Sequence, residues 1–184
     1  MPNIKQFARK LKRAEGAEIA EVAVVLPVVF LFLFGIIWFG RAFNIYSTIT
    51  QAAQQGAIAA ARDSCATCTG GNAPPGTATA DSAIYAVMHA SNLDVNPMQV
   101  TSKPNCGSAA CAACTAPSGG ACAKVTGAKG GNFYVCQNVN LNPTAATPQC
   151  GTVVSFQYPF QFHVPYSSLD TILMSAQAES RMEN

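Results

Sequence analysis

An uninterrupted apolar stretch, residues 22–39, constrains this chain more than any other feature of its sequence. The stretch contains no charged residue, and its only polar side-chain group is the indole of Trp38. About 18 apolar residues suffice for a helix that spans a membrane, whereas a helix at the surface of a soluble domain has a polar face. The stretch therefore predicts a transmembrane helix rather than a core helix of a small soluble domain.

The charges around this stretch predict its orientation. Residues 1–16 hold five of the eleven basic residues and one acid. Because orientation follows the Lys/Arg bias of the flanking segments, we expect the N-terminus to lie in the cytoplasm and the chain beyond about residue 40 on the far side. We divide the chain into a basic leader (1–16), a transmembrane helix (17–40) and a non-cytoplasmic domain (41–184).

The composition of the rest of the chain excludes several function classes. Residues 17–184 hold six basic and eight acidic residues, a formal charge of −2, so they lack the basic stripe of a nucleic-acid binder. The sequence has no phosphate-binding loop and no His-Glu-x-x-His motif, and its two histidines are 74 residues apart. We therefore expect no enzyme activity, no cofactor, no metal site and no small-molecule substrate.

Helical periodicity continues beyond the membrane stretch. Apolar and small residues recur every three or four positions on one face, while polar residues occupy the other. The apolar face comprises Ala42, Ile45, Tyr46, Ile49, Ala52, Ala53, Gly56, Ala59 and Ala60. We predict one helix over about 17–63. The apolar face of its second half (41–63) packs either on the following domain or on another subunit, and the domain is the default because a small sheet needs a helix to cover one face.

The remaining residues, 64–184, predict a small α+β head with disulfide-rich loops. A short second helix over 80–92 would be capped by Thr79 or Asp81, with Ile84, Val87, Met88 and His89 on its buried face. We expect an antiparallel sheet of about four strands, over 98–102, 133–139, 152–162 and 171–182. Residues 69–76 and 105–131 read as loops, and Pro159 should confine the end of the third strand to an edge or a bulge.

All eight cysteines follow the apolar stretch, and an even number in an oxidising compartment indicates disulfides. They are Cys65, Cys68, Cys106, Cys111, Cys114, Cys122, Cys136 and Cys150. Eight cysteines allow 105 pairings; we predict only that Cys136 pairs with Cys150, because both lie on neighbouring predicted strands. Two Cys-x-x-Cys motifs leave a zinc site or a thiol enzyme open, but their separation of about forty residues exceeds the usual zinc-ribbon spacing.

The junction before the apolar stretch resembles that of type IV pilin-like proteins, with Gly16 followed at the fifth position by Glu21. More closely, residues 21–27, 35–43 and 46–53 resemble TadE-like proteins, pseudopilins of the tight-adherence (Flp pilus) assembly systems of bacteria. The resemblance covers residues 16–62, and the last thirty residues more loosely. Val22 stands where relatives often carry an aromatic residue, and Trp38 where they often carry an acid.

This resemblance implies a pilin-like fold and a structural role. It implies that a prepilin peptidase cuts between Gly16 and Ala17, so that Glu21 becomes the fifth residue of the mature chain. The implied partners are that peptidase, other pilin or pseudopilin subunits and the bacterial inner membrane, with residues 41–184 in the periplasm or in a pilus. Two alternatives remain: an uncleaved single-pass anchor that presents a disulfide-stabilised binding or adhesion domain, and a periplasmic thiol oxidoreductase.

Overall fold

The structure is a computed structural model with an α+β fold, as the sequence predicts. It describes residues 4–62, 76–101, 103–104, 121–142, 145, 149–161, 163–164, 167–168 and 171–181, with the backbone alone at 4–17, 121, 163–164 and 167–168. In chain order the elements are α1 (Ile4–Ala61), α2 (Thr77–Ala90), β1 (Ala121–Thr126), β2 (Asn132–Asn140), β3 (Cys150–Phe160), β4 (His163–Val164), β5 (Ser167–Ser168) and β6 (Ile172–Arg181). The chain forms two compact units, Met1–Ala42 and Phe43–Asn184, and α1 contributes to both.

Helix α1 begins at Ile4 rather than near residue 17. The leader is rich in Lys, Arg, Leu, Ala and Glu, which favour helices, and a single glycine at position 16 costs only about 1 kcal/mol relative to alanine. Pro27 also lies inside α1 without ending it. Proline removes one backbone hydrogen bond, which a long helix tolerates when the turns on both sides are strongly helical.

The second unit contains a four-stranded antiparallel sheet in the order β1-β2-β3-β6. Strand β3 pairs with β6 over its last ten residues, from Gly151 opposite Arg181 to Phe160 opposite Ile172. Three of the four predicted strands are confirmed as β2, β3 and β6. The predicted strand over 98–102 is wrong, because among the described residues that segment contributes only an isolated bridge between Gln99 and Gln157.

The C-terminal half of α1 covers one face of this sheet, as predicted. Ile49, Ala52, Ala53 and Ala60 are completely buried. Gly56 is the point of closest packing, because a Cβ atom there would lie 2.8 Å from Cγ1 of Ile84 in α2 and 3.6 Å from Cγ1 of Val154 in β3. Small residues on the helix thus allow its backbone to approach both the sheet and α2.

Helix α2 confirms the second predicted helix but not its predicted cap. Its N-cap is Gly76, which makes no side-chain capping bond, while Thr79 Oγ1 donates to the Gly76 carbonyl at 2.8 Å. Asp81 instead accepts a hydrogen bond from the backbone N–H of Ala128 at 2.9 Å. A sequence pattern of local caps cannot reveal this bond, because its partners are 47 residues apart. The buried face carries Ala80, Ile84 and Met88; Val87 is half-buried and His89 is exposed.

Strand β1 lies inside the segment that we predicted as a loop. It pairs with β2 in a hairpin whose turn contains Gly130 and Gly131 at φ 89° and 80°, a backbone conformation that glycine adopts without steric cost. Two short β-prone runs around a glycine-containing turn are a hairpin signal. The signal is weak here because the first run, residues 121–126, contains two alanines and a lysine.

Pro159 lies in β3 without interrupting the sheet. Gln157 exchanges backbone hydrogen bonds with Gln99, at 2.8 and 2.9 Å, on the side of β3 away from β6. Because residues two apart in a strand direct their backbone groups to the same side, the nitrogen of Pro159 also faces away from β6. The pairing of β2 with β3 ends at Ser155, so Pro159 occupies an edge-like half of β3, as predicted.

The predicted pairing of Cys136 with Cys150 is wrong. Cys136 forms a disulfide with Cys122, its direct partner in the β1–β2 register. We missed this bond because β1 was assigned to a loop, which left Cys122 without a position in the sheet. Cys150 is also disulfide-bonded, to a residue outside the described part of the chain.

Candidate functional site

The sequence-predicted processing site lies within α1. The backbone is helical through Gly16 and Ala17, and Glu18 and Glu21 are exposed on the next turn. At about 1.5 Å per residue, Glu21 lies roughly 7 Å along the helix from Gly16. The two carboxylates are three residues apart, so they lie on the same face of the helix.

The stretch that follows is apolar on every side. Its valine, leucine, isoleucine and phenylalanine side chains between Val22 and Phe39 are all at least 46% exposed. Within the described residues, the helix from Glu18 onwards is the one candidate for a membrane span by length and composition. Exposure of so many large apolar groups to water is unfavourable by about 25 cal/mol per Å², and lipid removes that cost.

One side of this stretch has a shallow groove around Gly35. Neither Gly35 nor Gly40 has another part of the described chain within 4 Å of a Cβ position. The groove is lined by Val28, Leu31, Phe32, Gly35, Ile36 and Phe39. These residues recur at helical spacing, so they form one continuous face along which a second helix could approach closely.

Trp38 and Arg41 form a pair at the end of the apolar stretch that the sequence reasoning did not single out. The guanidinium carbon of Arg41 lies 5.9 Å from the centroid of the Trp38 ring, within the range of a cation–π interaction. Tryptophan and arginine are typical of the lipid–water boundary of a membrane helix. Spacing alone could have indicated the pair, because residues three apart in a helix are neighbours.

The three described cysteines, Cys122, Cys136 and Cys150, are all disulfide-bonded. Cys122 is half-buried and Cys136 is completely buried, where it packs with Val139 and Val153. No cluster of three or more His, Cys, Asp or Glu side chains that could hold a metal occurs within the residues the structure describes. The Cys-x-x-Cys motifs are Cys65–Cys68 and Cys111–Cys114; these four cysteines and Cys106 lie outside those residues.

His89, the histidine of α2, lies next to an aromatic ring of its own helix. The rings of His89 and Tyr85 are 5.4 Å apart and tilted by 32°. Both residues lie on the outer side of α2, one turn apart. The predicted burial of His89 is therefore wrong, because the helix rotates this position towards solvent.

The match to a protein family falls on this N-terminal site. A family described as TadE-like protein matches residues 16–57, which confirms the resemblance drawn from the sequence. No curated protein and no solved structure gives a significant match to the chain. The matched segment begins at Gly16, contains Glu21 and the whole apolar stretch, and ends in the packed half of α1. Residues 16–57 of this chain are thus similar to the TadE-like protein family.

Proposed function

We propose that this chain is a minor pilin or pseudopilin, a structural membrane-anchored subunit for assembly of a Tad (Flp) pilus, and that a prepilin peptidase cleaves it after Gly16. The observation that carries the proposal is that the TadE-like match begins at Gly16 and includes Glu21 and the apolar stretch. The partners are the peptidase, the inner membrane and other pilin-like subunits. The head of the chain, in the second unit, lies in the periplasm or is incorporated in the pilus.

The position of Gly16 suits a proteolytic site. A peptidase binds an extended backbone, so the helix must open locally before cleavage. Glycine is the least favourable residue in a helix interior apart from proline, by about 1 kcal/mol relative to alanine. Gly16 therefore lowers the cost of opening α1 at the junction, and its lack of a side chain allows the backbone to approach the catalytic groups closely.

Cleavage would reverse the formal charge of the chain. Residues 1–16 hold five basic side chains and one acid, so their removal changes the side-chain charge from +2 to −2. It also creates a positive amine at Ala17, four residues from Glu21. In a low-dielectric environment that amine and the Glu21 carboxylate attract strongly, within one subunit or between neighbours. The groove around Gly35 offers a surface for the helix of the neighbouring subunit.

Mass spectrometry of the chain expressed with and without a prepilin peptidase tests processing. We expect an N-terminus at Ala17 only with the peptidase, and loss of cleavage in Gly16→Ala. Gly40→Ala is the matched control, because it changes a glycine of the same helix beyond the junction and should be cleaved normally. Any mature N-terminus other than Ala17 contradicts the processing step.

The role of Glu21 is tested separately from insertion. We expect Glu21→Ala to reduce cross-linking to other pilin subunits at least tenfold, with little change in the membrane-bound fraction. Glu18→Ala removes an exposed carboxylate one turn earlier in the helix and is the control. Equal loss of cross-linking in both variants would show that the effect reflects general charge near the junction.

One observation favours a second candidate, an uncleaved membrane anchor that presents a disulfide-stabilised binding or adhesion domain. Helix α1 continues through Gly16 from Ile4, so the leader and the span form one element. Chain material from the cell envelope that still contains the leader, with no Ala17 terminus, would support this candidate.

A further inference from the structure

Strand β6 forms one edge of the four-stranded sheet of the second unit. The order of the strands is β1-β2-β3-β6, and every residue of β6 is opposite a residue of β3 in an unbroken register without a bulge. An edge strand directs one row of backbone N–H and C=O groups away from the sheet. The register of β6 with β3 identifies the residues that carry this row.

The backbone groups of Ser175 face away from β3. Ser175 is opposite Gln157, and opposite residues of an antiparallel pair either exchange both backbone hydrogen bonds or direct these groups to their outer sides. Gln157 exchanges its bonds with Gln99, at 2.8 and 2.9 Å. The N–H and C=O groups of Ser175 therefore point out of the edge, as do those of Leu173 and Glu179, because the period of a strand is two. Within the described part of the chain, no backbone group outside the sheet bonds to these three residues.

This edge lacks the features that commonly prevent an edge strand from pairing with another chain. Such features are charges, prolines, bulges and short length. Strand β6 is ten residues long and contains no proline, and residues 172–178 carry no charge. Leu173 is 41% exposed, and Ser175 and Glu179 are also exposed, so the preceding β4 and β5 do not cover these side chains. The opposite edge strand, β1, is only six residues long and carries Lys124.

A polar groove of about 190 Å³ lies beside β6, on the face of the sheet away from α1. Val154 packs against α1, so its neighbour Ser155 points to the other face. The polar side chains that line the groove are Thr101, Lys103, Ser155, Gln157, Ser175 and Gln177. Lys103 is the one charged residue among those lining it, and it is exposed.

Hydrogen bonds across the groove orient its polar groups. Thr101 Oγ1 donates to Gln157 Oε1 at 2.8 Å, and Gln157 Nε2 donates to Ser175 Oγ at 3.2 Å. A hydroxyl that accepts a hydrogen bond keeps its own O–H to donate. The Ser175 O–H and the Lys103 ammonium are therefore two donors beside each other in a groove whose lining contains no carboxylate, which is an arrangement that suits a carboxylate ligand.

The surrounding charges do not cancel that of Lys103. Residues 105–120, which follow the groove-lining segment in the chain, carry no charge. On β6 the nearest acid is Glu179, four residues and about 14 Å along the strand from Ser175, which exceeds the Debye length of about 8 Å at physiological ionic strength. Asp170 precedes β6 by two residues, at the other end of the strand. Lys103 therefore gives the groove a positive charge.

We propose that the open edge of β6 and the adjoining groove together bind an extended acidic segment of another protein. The segment adds a strand to the sheet, so that its backbone bonds to the outward groups of Leu173, Ser175 and Glu179. Main-chain bonds supply the affinity in this mode of recognition, and pockets for alternate side chains supply the specificity. An Asp or Glu opposite Ser175 shares its face of the sheet and lies beside Lys103. The inference concerns the second unit alone and does not depend on cleavage at Gly16.

Two fluorescent peptides that differ in one residue test the groove. The first is Thr-Val-Thr-Glu-Thr-Val-Thr, whose alternation favours an extended backbone, and the second has Gln in place of Glu. Fluorescence anisotropy measures their binding to the full chain in detergent micelles. We expect the Glu peptide to bind at least fivefold more tightly than the Gln peptide, and Lys103→Gln to abolish this difference. Lys124→Gln, which changes an exposed lysine of the opposite edge strand, is the control and should keep it.

A proline substitution tests the edge separately. Ser175→Pro removes an outward N–H group without removing a bond to β3, so we expect both peptides to bind at least tenfold more weakly. Ser175→Ala keeps that N–H group and is the matched control, with unchanged binding of the Gln peptide. If Ser175→Pro alters the circular dichroism spectrum, Leu173→Pro removes the next outward N–H group, closer to the start of the strand, and should weaken both peptides in the same way.

Each contrary result overturns the proposal. Absence of binding at millimolar peptide, equal affinity for the two peptides, or binding that survives the proline variants would each do so. Concentration-dependent self-association of the chain that Ser175→Pro abolishes would assign the edge to a second copy instead. None of these results affects the proposed processing, because the N-terminus produced by a prepilin peptidase is measured independently of the sheet.

Discussion

Gly56 shows how one small residue holds the core of the second unit together. The space at its Cα is already filled by Ile84, which is 2% exposed, and by Val154, which is completely buried. We expect Gly56→Val to lower the free energy of unfolding by about 2 kcal/mol, because overpacking a rigid core typically costs 1–3 kcal/mol. Chemical denaturation measures the change.

Two further variants separate overpacking from helix propensity. Gln54→Val places the same β-branched side chain on the exposed face of α1 and should cost only about 0.5 kcal/mol. In the Gly56→Val background, Ile84→Ala should be less destabilising than in the native chain, because the new side chain fills the vacated space. Equal effects of Ile84→Ala in both backgrounds would show that the two positions do not compete for space.

Tyr158 is the described residue outside the span whose ionisation is most clearly altered. Burial raises the pKa of its hydroxyl above the ordinary value of 10.0, and the negative charge of Asp94 raises that pKa further. The folded state thus disfavours the phenolate more than the unfolded state does. The contribution of this group to stability is fully present below pH 10 and is lost as the pH rises through the folded-state pKa.

This linkage predicts a loss of stability at alkaline pH that depends on Tyr158. Between pH 9 and 11, the native chain should lose more of its free energy of unfolding than Tyr158→Phe, which has no hydroxyl to ionise. Tyr134→Phe removes another tyrosine of the sheet and is the control. Phenolate absorbance at 295 nm follows the titration, and Asp94→Asn should lower the Tyr158 pKa only partly because burial is the larger cause. Parallel pH profiles for native chain and Tyr158→Phe would contradict the linkage.

At the scale of elements, the β1–β2 hairpin depends on a covalent bond. Cys122 and Cys136 are opposite each other in the register and 14 residues apart in sequence. A bond that closes a loop of this size stabilises by about 3 kcal/mol. We expect the double variant Cys122→Ala/Cys136→Ala to lose about that much in chemical denaturation.

The pairing itself can be checked by thiol labelling of the unfolded chain. Cys122→Ser should leave exactly one new reactive thiol, at Cys136, when the protein is unfolded in guanidinium chloride without reductant. Cys150→Ser should leave Cys136 oxidised. Labelling of Cys136 in Cys150→Ser would support the pairing that the sequence favoured and contradict the observed one.

Elements with strong periodicity were predictable from sequence, and those held by distant contacts were not. Apolar residues recur about every 3.6 positions in α1 and every two positions in β6, which places them on one face of each element. Any neighbouring layer would bury such a face. By contrast, β1 has little apolar alternation and depends on pairing with β2. Asp81 was predicted as a cap because its local sequence fits one, yet it accepts a hydrogen bond from the backbone of Ala128, 47 residues away. The predicted pairing of Cys136 was wrong because its true partner, Cys122, lies on β1, which its local sequence does not reveal. In the candidate site, Gly16 and Glu21 were found from their spacing, while the Trp38–Arg41 contact required helix geometry.

At the scale of the whole molecule, we propose that the distribution of charge determines on which side of the membrane the head folds. Four basic residues of the leader are close to the span: Arg9, Lys10, Lys12 and Arg13. Changing all four to glutamine removes most of the positive bias that, in the proposed orientation, retains the N-terminus in the cytoplasm. We expect the fraction of chains with an external C-terminus to fall at least threefold, measured as alkaline phosphatase activity of a C-terminal fusion.

The disulfide gives an independent readout of the same change. Cys122 and Cys136 can form their bond only in an oxidising compartment, so inverted chains should contain both as free thiols that react with maleimide. Arg62→Gln removes a basic residue on the other side of the span and should alter neither readout. If the four-glutamine variant keeps its phosphatase activity and its oxidised hairpin, the leader does not set the orientation, and the apolar stretch or the folded head must do so instead.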